Sequence, residues 1–221
     1  MSDILTKNSI PVYIINLVER KERREHILGQ FKEYPEFSPQ IFTAENHTIG
    51  SFGLLRTFEK ILLIAKVENH DYFIIAEDDH CFTKNYKKNY IYSIIKQAKG
   101  VNADIVSGGI SSFETGVCIS DNLFWLNKFT GAQFLIINRK FIETFFLESF
   151  NTSDRLDLFI SRLSSKIFTI YPFISMQSFF GYSDATPEIM QGNIDVKELF
   201  LNTEQKLDKF MYIKDYYEKF N

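Results

Sequence analysis

The stretch Asp71-Tyr72-Phe73-Ile74-Ile75-Ala76-Glu77-Asp78-Asp79-His80-Cys81 decides how the rest of this chain is interpreted. Its apolar run of β-branched and aromatic residues, 72–76, has the pattern of a strand that is buried on both faces. The run ends in three consecutive carboxylates and a histidine, and the carboxylates repel one another and lose solvation if they are buried. A divalent cation at the carboxyl end of the strand would relieve both costs and could neutralise a bound diphosphate. An acidic turn that faces solvent is the alternative interpretation, and this stretch alone does not separate the two.

Segments with strand and helix patterns alternate on both sides of this stretch. Strands are predicted over 11–17, 40–44, 103–107, 131–138 and 167–174, and helices over 19–33, 48–69, 86–99, 141–150 and 153–164. This alternation predicts an α/β layer architecture with a mainly parallel sheet flanked by helices. Pro172 predicts that the last strand lies at an edge or contains a bulge, and Ser153 or Asp154 is expected to cap the last of these helices. The segment 111–127 is less regular and is expected to be a loop with short strands.

Composition excludes several classes of protein. A chain of 221 residues with 45% hydrophobic residues can build a real core, and its formal net charge of −3 gives no basic field for nucleic acid. Two cysteines, Cys81 and Cys118, are few enough to fit a reducing cytoplasm. Residues 1–9 have no apolar core of the signal-peptide type, and no apolar run is long enough to span a bilayer. We therefore expect a soluble, cytoplasmic protein.

The composition changes after Pro187, which predicts a main domain over 1–186 and a C-terminal helical tail over 187–221. From Asp195 to Phe220 the tail is charged and helical, and its apolar stripe contains Leu207, Phe210, Met211 and Tyr217. The stripe predicts a helix that packs on or near the domain. Peripheral contact with a membrane surface, or with a partner, is the alternative.

Five short segments match, in order, the motifs of one family. They are Val12–Arg24 (VYIINLVERKERR), Phe73–Asp79 (FIIAEDD), Thr130–Ile136 (TGAQFLI), Asp154–Ile160 (DRLDLFI) and Tyr171–Gln177 (YPFISMQ), the last followed by Tyr182-Ser183-Asp184. Together they resemble the family 25 glycosyltransferases, which include bacterial lipooligosaccharide galactosyl- and glucosyltransferases and collagen galactosyltransferases. The resemblance implies a GT-A-like fold, and it implies an inverting transfer of galactose or glucose from a UDP-sugar to a glycan or glycoconjugate acceptor.

The resemblance also implies roles for the carboxylates. Asp79 would be a ligand of Mn²⁺ or Mg²⁺, and Glu77 would contact the metal, a metal-bound water or the ribose. Asp78 could exchange roles with either of them. Asp157 matches an isolated aspartate of the family and would be the general base that takes the proton of the acceptor hydroxyl.

The nucleotide's base and ribose are expected at the carboxyl ends of the first two strands. Asn16, Leu17 and Arg20 lie at the carboxyl end of the first strand, and Thr43 and Ala44 end the second. Histidine 80 could be a further metal ligand, or its ring could simply be bonded to a backbone carbonyl. Ser183 and Asp184 could contact the diphosphate, the metal or the acceptor.

One departure from the family keeps a second function open. The family has a Ser-His pair before its acidic strand, where this chain has Leu55-Arg56. A catalytically degenerate protein that binds a nucleotide sugar or a glycan on the same fold is therefore the alternative. A nucleotidyltransferase is a third class, and the chain has no Gly-rich lysine loop after its first strand to hold a triphosphate.

Overall fold

A computed structural model describes residues 9–181 and 195–220 of the chain. Within these ranges it contains twelve strands and six helices. The strands are β1 (Ile10–Asn16), β2 (Phe37–Thr43), β3 (Tyr72–Glu77), β4 (His80–Phe82), β5 (Ile105–Ser107), β6 (Ser112–Phe113), β7 (Gly116–Ser120), β8 (Leu123–Leu126), β9 (Phe129–Thr130), β10 (Phe134–Asn138), β11 (Ile167–Ile170) and β12 (Ser175–Gln177). The helices are α1 (Lys21–Phe31), α2 (Gly50–Glu68), α3 (Tyr90–Gly100), α4 (Lys140–Phe145), α5 (Leu156–Leu163) and α6 (Val196–Glu218).

The central sheet of the described residues has eight strands in the order β2-β1-β3-β10-β5-β11-β8-β7. The α/β architecture is confirmed, but the prediction of a mainly parallel sheet is wrong. Strand β1 is parallel to β2 and β3, and β11 is parallel to β5, whereas β10 is antiparallel to both of its neighbours. Strand β8 is antiparallel to β11 and β7. The sheet is mixed because β10 inserts between β3 and β5, and because the irregular segment 111–127 adds a hairpin at one edge.

Two local predictions near the end of the fold are also wrong. Strand β11 lies inside the sheet, between β5 and β8, because it ends at Ile170 and leaves Pro172 in the following turn. Helix α5 has Arg155 at its N-cap position, without a side-chain cap. The carboxylate of Asp154 instead accepts the backbone N–H of Asn151 and pairs with Arg162.

Helices cover both faces of the sheet because side chains alternate along each strand. Tyr13 and Ile15 of β1 join a core that contains apolar residues of α2, α4, α5 and α6. Val12 and Ile14 face the other side, where α1 and α3 supply the packing. Since parallel strands of this kind are covered on both faces, their apolar runs are nearly continuous.

Helix α6 packs on the face of the central sheet that Tyr13 and Ile15 share, and it contributes to the core on that face. Phe200 and Leu207 are fully buried in that core. Two polar contacts fix the helix: Thr203 Oγ1 donates to Ser111 O at 2.6 Å, and Glu204 Oε1 accepts the N–H of Phe173 at 2.7 Å. The outer face of its last turns stays exposed, with Tyr217 at 63%, and contact of this face with a membrane surface remains a prediction. None of the helices in the described residues combines the length and apolarity that crossing a bilayer requires.

Candidate active site

A cavity of about 310 Å³ opens at the carboxyl ends of β1, β2 and β3. Its walls also include the first turn of α2, the start of α5, the residues after β12 and the first turn of α6. This is the edge of an α/β sheet at which ligands bind. The cavity lies at the small end of the usual range for small-molecule sites, about 300–1,000 Å³.

The cavity collects most of the predicted site residues, which come from distant parts of the chain. Those that line it are Leu17, Arg20, Ala44, Glu77, Asp78, Asp79 and Asp157. Asn16 and Thr43 do not line it. The Asn16 side chain is buried and donates from Nδ2 to Asp78 Oδ2 at 2.8 Å and to Arg20 O at 3.2 Å, so it positions the acidic turn. Thr43 is exposed, whereas the next residue, Ala44, lines the cavity.

Arginine side chains neutralise part of the acidic turn. Arg23 Nη1 donates to Asp78 Oδ1 at 3.1 Å and to Asp79 Oδ2 at 3.3 Å, and its side chain is almost completely buried. Arg20 Nη1 lies 4.0 Å from Asp78 Oδ2. These two arginines are three residues apart and therefore share one side of the first helical turn. Their position close to the end of the first strand was the signal in the sequence for a basic group at this site.

Burial and mutual repulsion change the protonation of the acidic turn. Burial raises the pKa of Glu77 well above its usual range, and the charges of Asp79, Asp78 and Asp157 raise it further. Burial also raises the pKa of Asp79 to about 6, although the guanidinium of Arg23 opposes this change. A bound cation would favour the ionised form of both carboxyl groups.

The raised pKa of Asp79 predicts a pH-dependent stability. Its folded-state pKa of about 6 lies above the ordinary value of 3.8, so the native protein holds this proton more tightly than the unfolded chain does. The tighter binding of this proton adds to the free energy of unfolding. That added stability is fully present below about pH 4 and is lost as the pH rises through about 6. Urea unfolding at a series of pH values should show this loss in the wild type and a flatter dependence in Asp79→Asn, which has no carboxyl proton. Parallel curves for the two proteins would contradict the prediction.

The predicted Mn²⁺ or Mg²⁺ site can be tested against the donors that the cavity offers. Across residues 9–181 and 195–220, no three or more His, Cys, Asp or Glu side chains are grouped so that they alone could hold a metal. A cation bound to a diphosphate needs only one or two carboxylates. Glu77 and Asp79 both line the cavity, and Asp79 Oδ1 is buried without a hydrogen-bond partner in the described part of the chain. The donor set therefore fits a cation whose other ligands are phosphate and water.

Asp157 reaches the cavity from the first turn of α5, where it is only 7% exposed. Its Oδ2 accepts the N–H of Gly131 at 3.2 Å, and its Oδ1 accepts the N–H of Leu158 at 2.9 Å. Gly131 has φ +99°, and a side chain there would lie 2.9 Å from Ser111 N, so this position requires glycine. Arg155 Nη2 lies 3.8 Å from Asp157 Oδ2. The carboxylate is therefore held in one orientation, with an arginine beside it.

His80 does not line the cavity, and the structure supports neither predicted role for its side chain. The ring is fully buried beside Phe31, Phe82 and Phe134. Its Nδ1 is bonded to the hydroxyl of Ser175 at 2.8 Å rather than to a backbone carbonyl. Burial lowers its pKa to about 3, so the ring is neutral at physiological pH. The predicted contacts of Ser183 and Asp184, and the predicted boundary at residue 187, lie outside the described residues.

Several cavity residues have no motif in the sequence. Glu45 and His47 reach the wall because their loop folds onto α2 at Gly53, where a Cβ atom would lie 2.5 Å from Glu45 O. Val196 and Leu199 come from α6, the helix of the predicted tail. The glycine inside a helical pattern was a signal for the first of these close approaches. Only long-range packing brings α6 to the cavity.

Comparisons with known proteins leave the family open. No family model matches the chain, and no curated protein matches it. Similar solved structures include an apo UDP-glucose pyrophosphorylase (TM-score 0.47, 8% identity, 91% of this chain and 82% of that one) and HddC from Yersinia pseudotuberculosis (TM-score 0.39, 12% identity, 90% and 99%). The UDP-glucose pyrophosphorylase from Acinetobacter baumanii gives a TM-score of 0.44 at 8% identity over 92% and 82% of the two chains. With TM-scores below 0.5, these likenesses decide neither family nor activity, and the resemblance to the family 25 glycosyltransferases stays a prediction.

Proposed function

We propose that this chain is an inverting, metal-dependent glycosyltransferase that moves galactose or glucose from a UDP-sugar to a hydroxyl of a glycan or glycoconjugate. One observation carries the proposal: a single cavity contains the acidic turn 77–79 and the separately held carboxylate of Asp157. Transfer with inversion uses both features, because the first would hold a cation that neutralises the leaving diphosphate and the second would take the acceptor's proton.

The acidic turn and its arginines form the donor side of the site. Glu77 and Asp79 would hold Mn²⁺ or Mg²⁺, which when bound supplies Lewis-acid stabilisation of the diphosphate. Arg20, at the rim of the acidic turn, adds positive charge for the phosphates. Leu17 and Ala44 lie at the ends of neighbouring parallel strands and would line the position of the base and ribose.

Asp157 forms the acceptor side. Its two backbone N–H partners leave the carboxylate little rotational freedom, so it needs little reorganisation to accept a proton. It would take the proton from the acceptor hydroxyl while that oxygen attacks the anomeric carbon from the face opposite the diphosphate. The pair with Arg155 restrains the same carboxylate from the N-cap of α5.

A thermal-shift titration with Mn²⁺ tests the donor site before any acceptor is known. We expect one UDP-hexose, glucose or galactose, to raise the melting temperature only when the metal is present. A ligand at a hundred times its dissociation constant adds about 2.7 kcal/mol to the free energy of unfolding, which gives a clear shift. ADP-glucose, which differs from UDP-glucose in its base, is the control for recognition of the nucleotide base. If none of these nucleotides changes the melting temperature, with or without metal, the proposal is wrong.

A binding protein without catalysis is the second candidate, and the Arg23 contacts favour it. This guanidinium already pairs with both Asp78 and Asp79 and offsets part of their charge, which stabilises the acidic turn without a metal. The two candidates differ in turnover. A glycosyltransferase releases UDP from its donor in a Mn²⁺-dependent reaction with glycoside acceptors, whereas the binding protein shows the thermal shift without release of UDP.

A further inference from the structure

Phe179 presents an aromatic ring to the cavity, at the end of the segment that follows β12. The ring lines the cavity and is 61% exposed. Among the phenylalanines in the described residues only Phe220, close to the C-terminus, is more exposed. Small-molecule sites are lined mainly by apolar and aromatic side chains, with a few polar groups that orient the ligand.

The residues on either side of Phe179 are held in place. The N–H of Ser178 donates to Asp79 O at 2.8 Å, which ties this segment to the acidic turn. The ring of Phe180 packs against the ring of His26, with centroids 5.2 Å apart, and lies 5.0 Å from Cζ of Arg23. Phe179 is therefore an exposed ring between two anchored residues, so its backbone position relative to Asp79 is fixed.

We propose that Phe179 is the platform on which a pyranose ring of the substrate packs. This inference rests on the proposed function and adds to it the chemical class of ligand at one wall of the cavity. A pyranose has faces of C–H groups that pack on an aromatic ring, while its hydroxyls point outward to polar groups. The cavity offers both kinds of partner, because the charged residues of the acidic turn line it together with the apolar side chains of Phe179 and Leu199, the latter 36% exposed.

The position of Phe179 favours a sugar over the nucleotide base. The backbone N–H of its neighbour Ser178 donates to the backbone carbonyl of Asp79, the residue whose carboxylate would hold the metal, so the ring lies near the reacting end of the donor. The base is assigned to Leu17 and Ala44, at the ends of β1 and β2. A pyranose near the diphosphate can be the hexose of the donor or the sugar of the acceptor, and the experiment separates these two sources.

Isothermal titration calorimetry on the full chain with Mn²⁺ tests the platform in three arms. The probes are UDP, the two UDP-hexoses, and methyl β-galactoside and methyl β-glucoside added with or without UDP. We expect Phe179→Ala to leave the affinity for UDP within about twofold and to weaken one class of sugar probe by about three- to tenfold. Phe179→Trp, which keeps an aromatic face, should retain the affinity. Phe220→Ala is the control for loss of an exposed ring away from the cavity.

The arms distinguish the outcomes. Weakening of the UDP-hexoses alone assigns the platform to the donor sugar, and weakening of the glycosides alone assigns it to the acceptor. Equal weakening of UDP would place the base on this ring and overturn the inference, as would unchanged affinities in every arm. If the wild type binds no nucleotide, the proposed function fails, and the glycosides without UDP still decide whether Phe179 binds a sugar. Melting temperatures of the variants should match the wild type, because the ring is exposed.

Discussion

Replacing Asp157 by asparagine is expected to lower the turnover of glycosyl transfer by about 10²- to 10⁴-fold, the usual contribution of a general base. The amide has the size of the carboxylate but cannot take the acceptor's proton. One amide oxygen can still accept the N–H of Gly131 or of Leu158, so the start of α5 should keep its conformation. Release of UDP from UDP-galactose and UDP-glucose in the presence of glycoside acceptors measures turnover, and the Mn²⁺-dependent thermal shift measures donor binding.

Asp154→Asn is the matched control for this prediction. Asp154 lies three residues earlier and does not line the cavity, and its carboxylate pairs with Arg162 instead. We expect the control to affect stability more than turnover. If Asp157→Asn transferred sugar at the wild-type rate, another group would have to be the base. A loss of donor binding in the same variant would indicate that Asp157 acts on the donor side.

Replacing Arg23 by methionine is expected to lower the free energy of unfolding by about 3–5 kcal/mol, the cost of leaving buried charges without their partner. The change leaves Asp78 and Asp79 without the guanidinium that lies 3.1 and 3.3 Å from their carboxylate oxygens. Methionine keeps the long apolar stem of the side chain, so the loss reports the charge more than the packing. Urea denaturation at pH 7 measures it.

Arg24→Met changes the same charge on the next residue of α1, where the side chain is exposed. Its effect should stay within about 0.5 kcal/mol, as for most surface substitutions. Mn²⁺ together with UDP should restore part of the stability that Arg23→Met loses, because a bound cation replaces the missing positive charge. Equal losses in the two arginine variants would contradict the role of Arg23. Restoration by UDP without metal would favour the binding protein over the metal-dependent enzyme.

The sequence predicted most of the individual elements and the carboxylates that line the cavity, which are residues 77–79 and Asp157. The apolar run before Glu77 predicted β3, and the spacing of three and four in 48–69 predicted α2, which spans Gly50–Glu68. These predictions succeed because periodicity reports which side chains must be buried, and burial determines local structure. The acidic turn was visible for the same reason: its charges interrupt an apolar run abruptly.

Only the tertiary structure decided strand direction, the partners of the charges and the origin of the cavity walls. The sequence of β10 predicts one more buried strand but not its direction, and in the structure β10 is antiparallel to both β3 and β5. Arg23 pairs with Asp78 across 55 positions of sequence, and Gly131 meets Asp157 across 26. Local patterns specify which face of an element is apolar, but strand order and long-range polar pairs depend on how all the elements pack together. That is why the acidic turn could be found in the sequence, whereas the pairing of Arg23 with its carboxylates and the helix that helps to enclose the cavity could not.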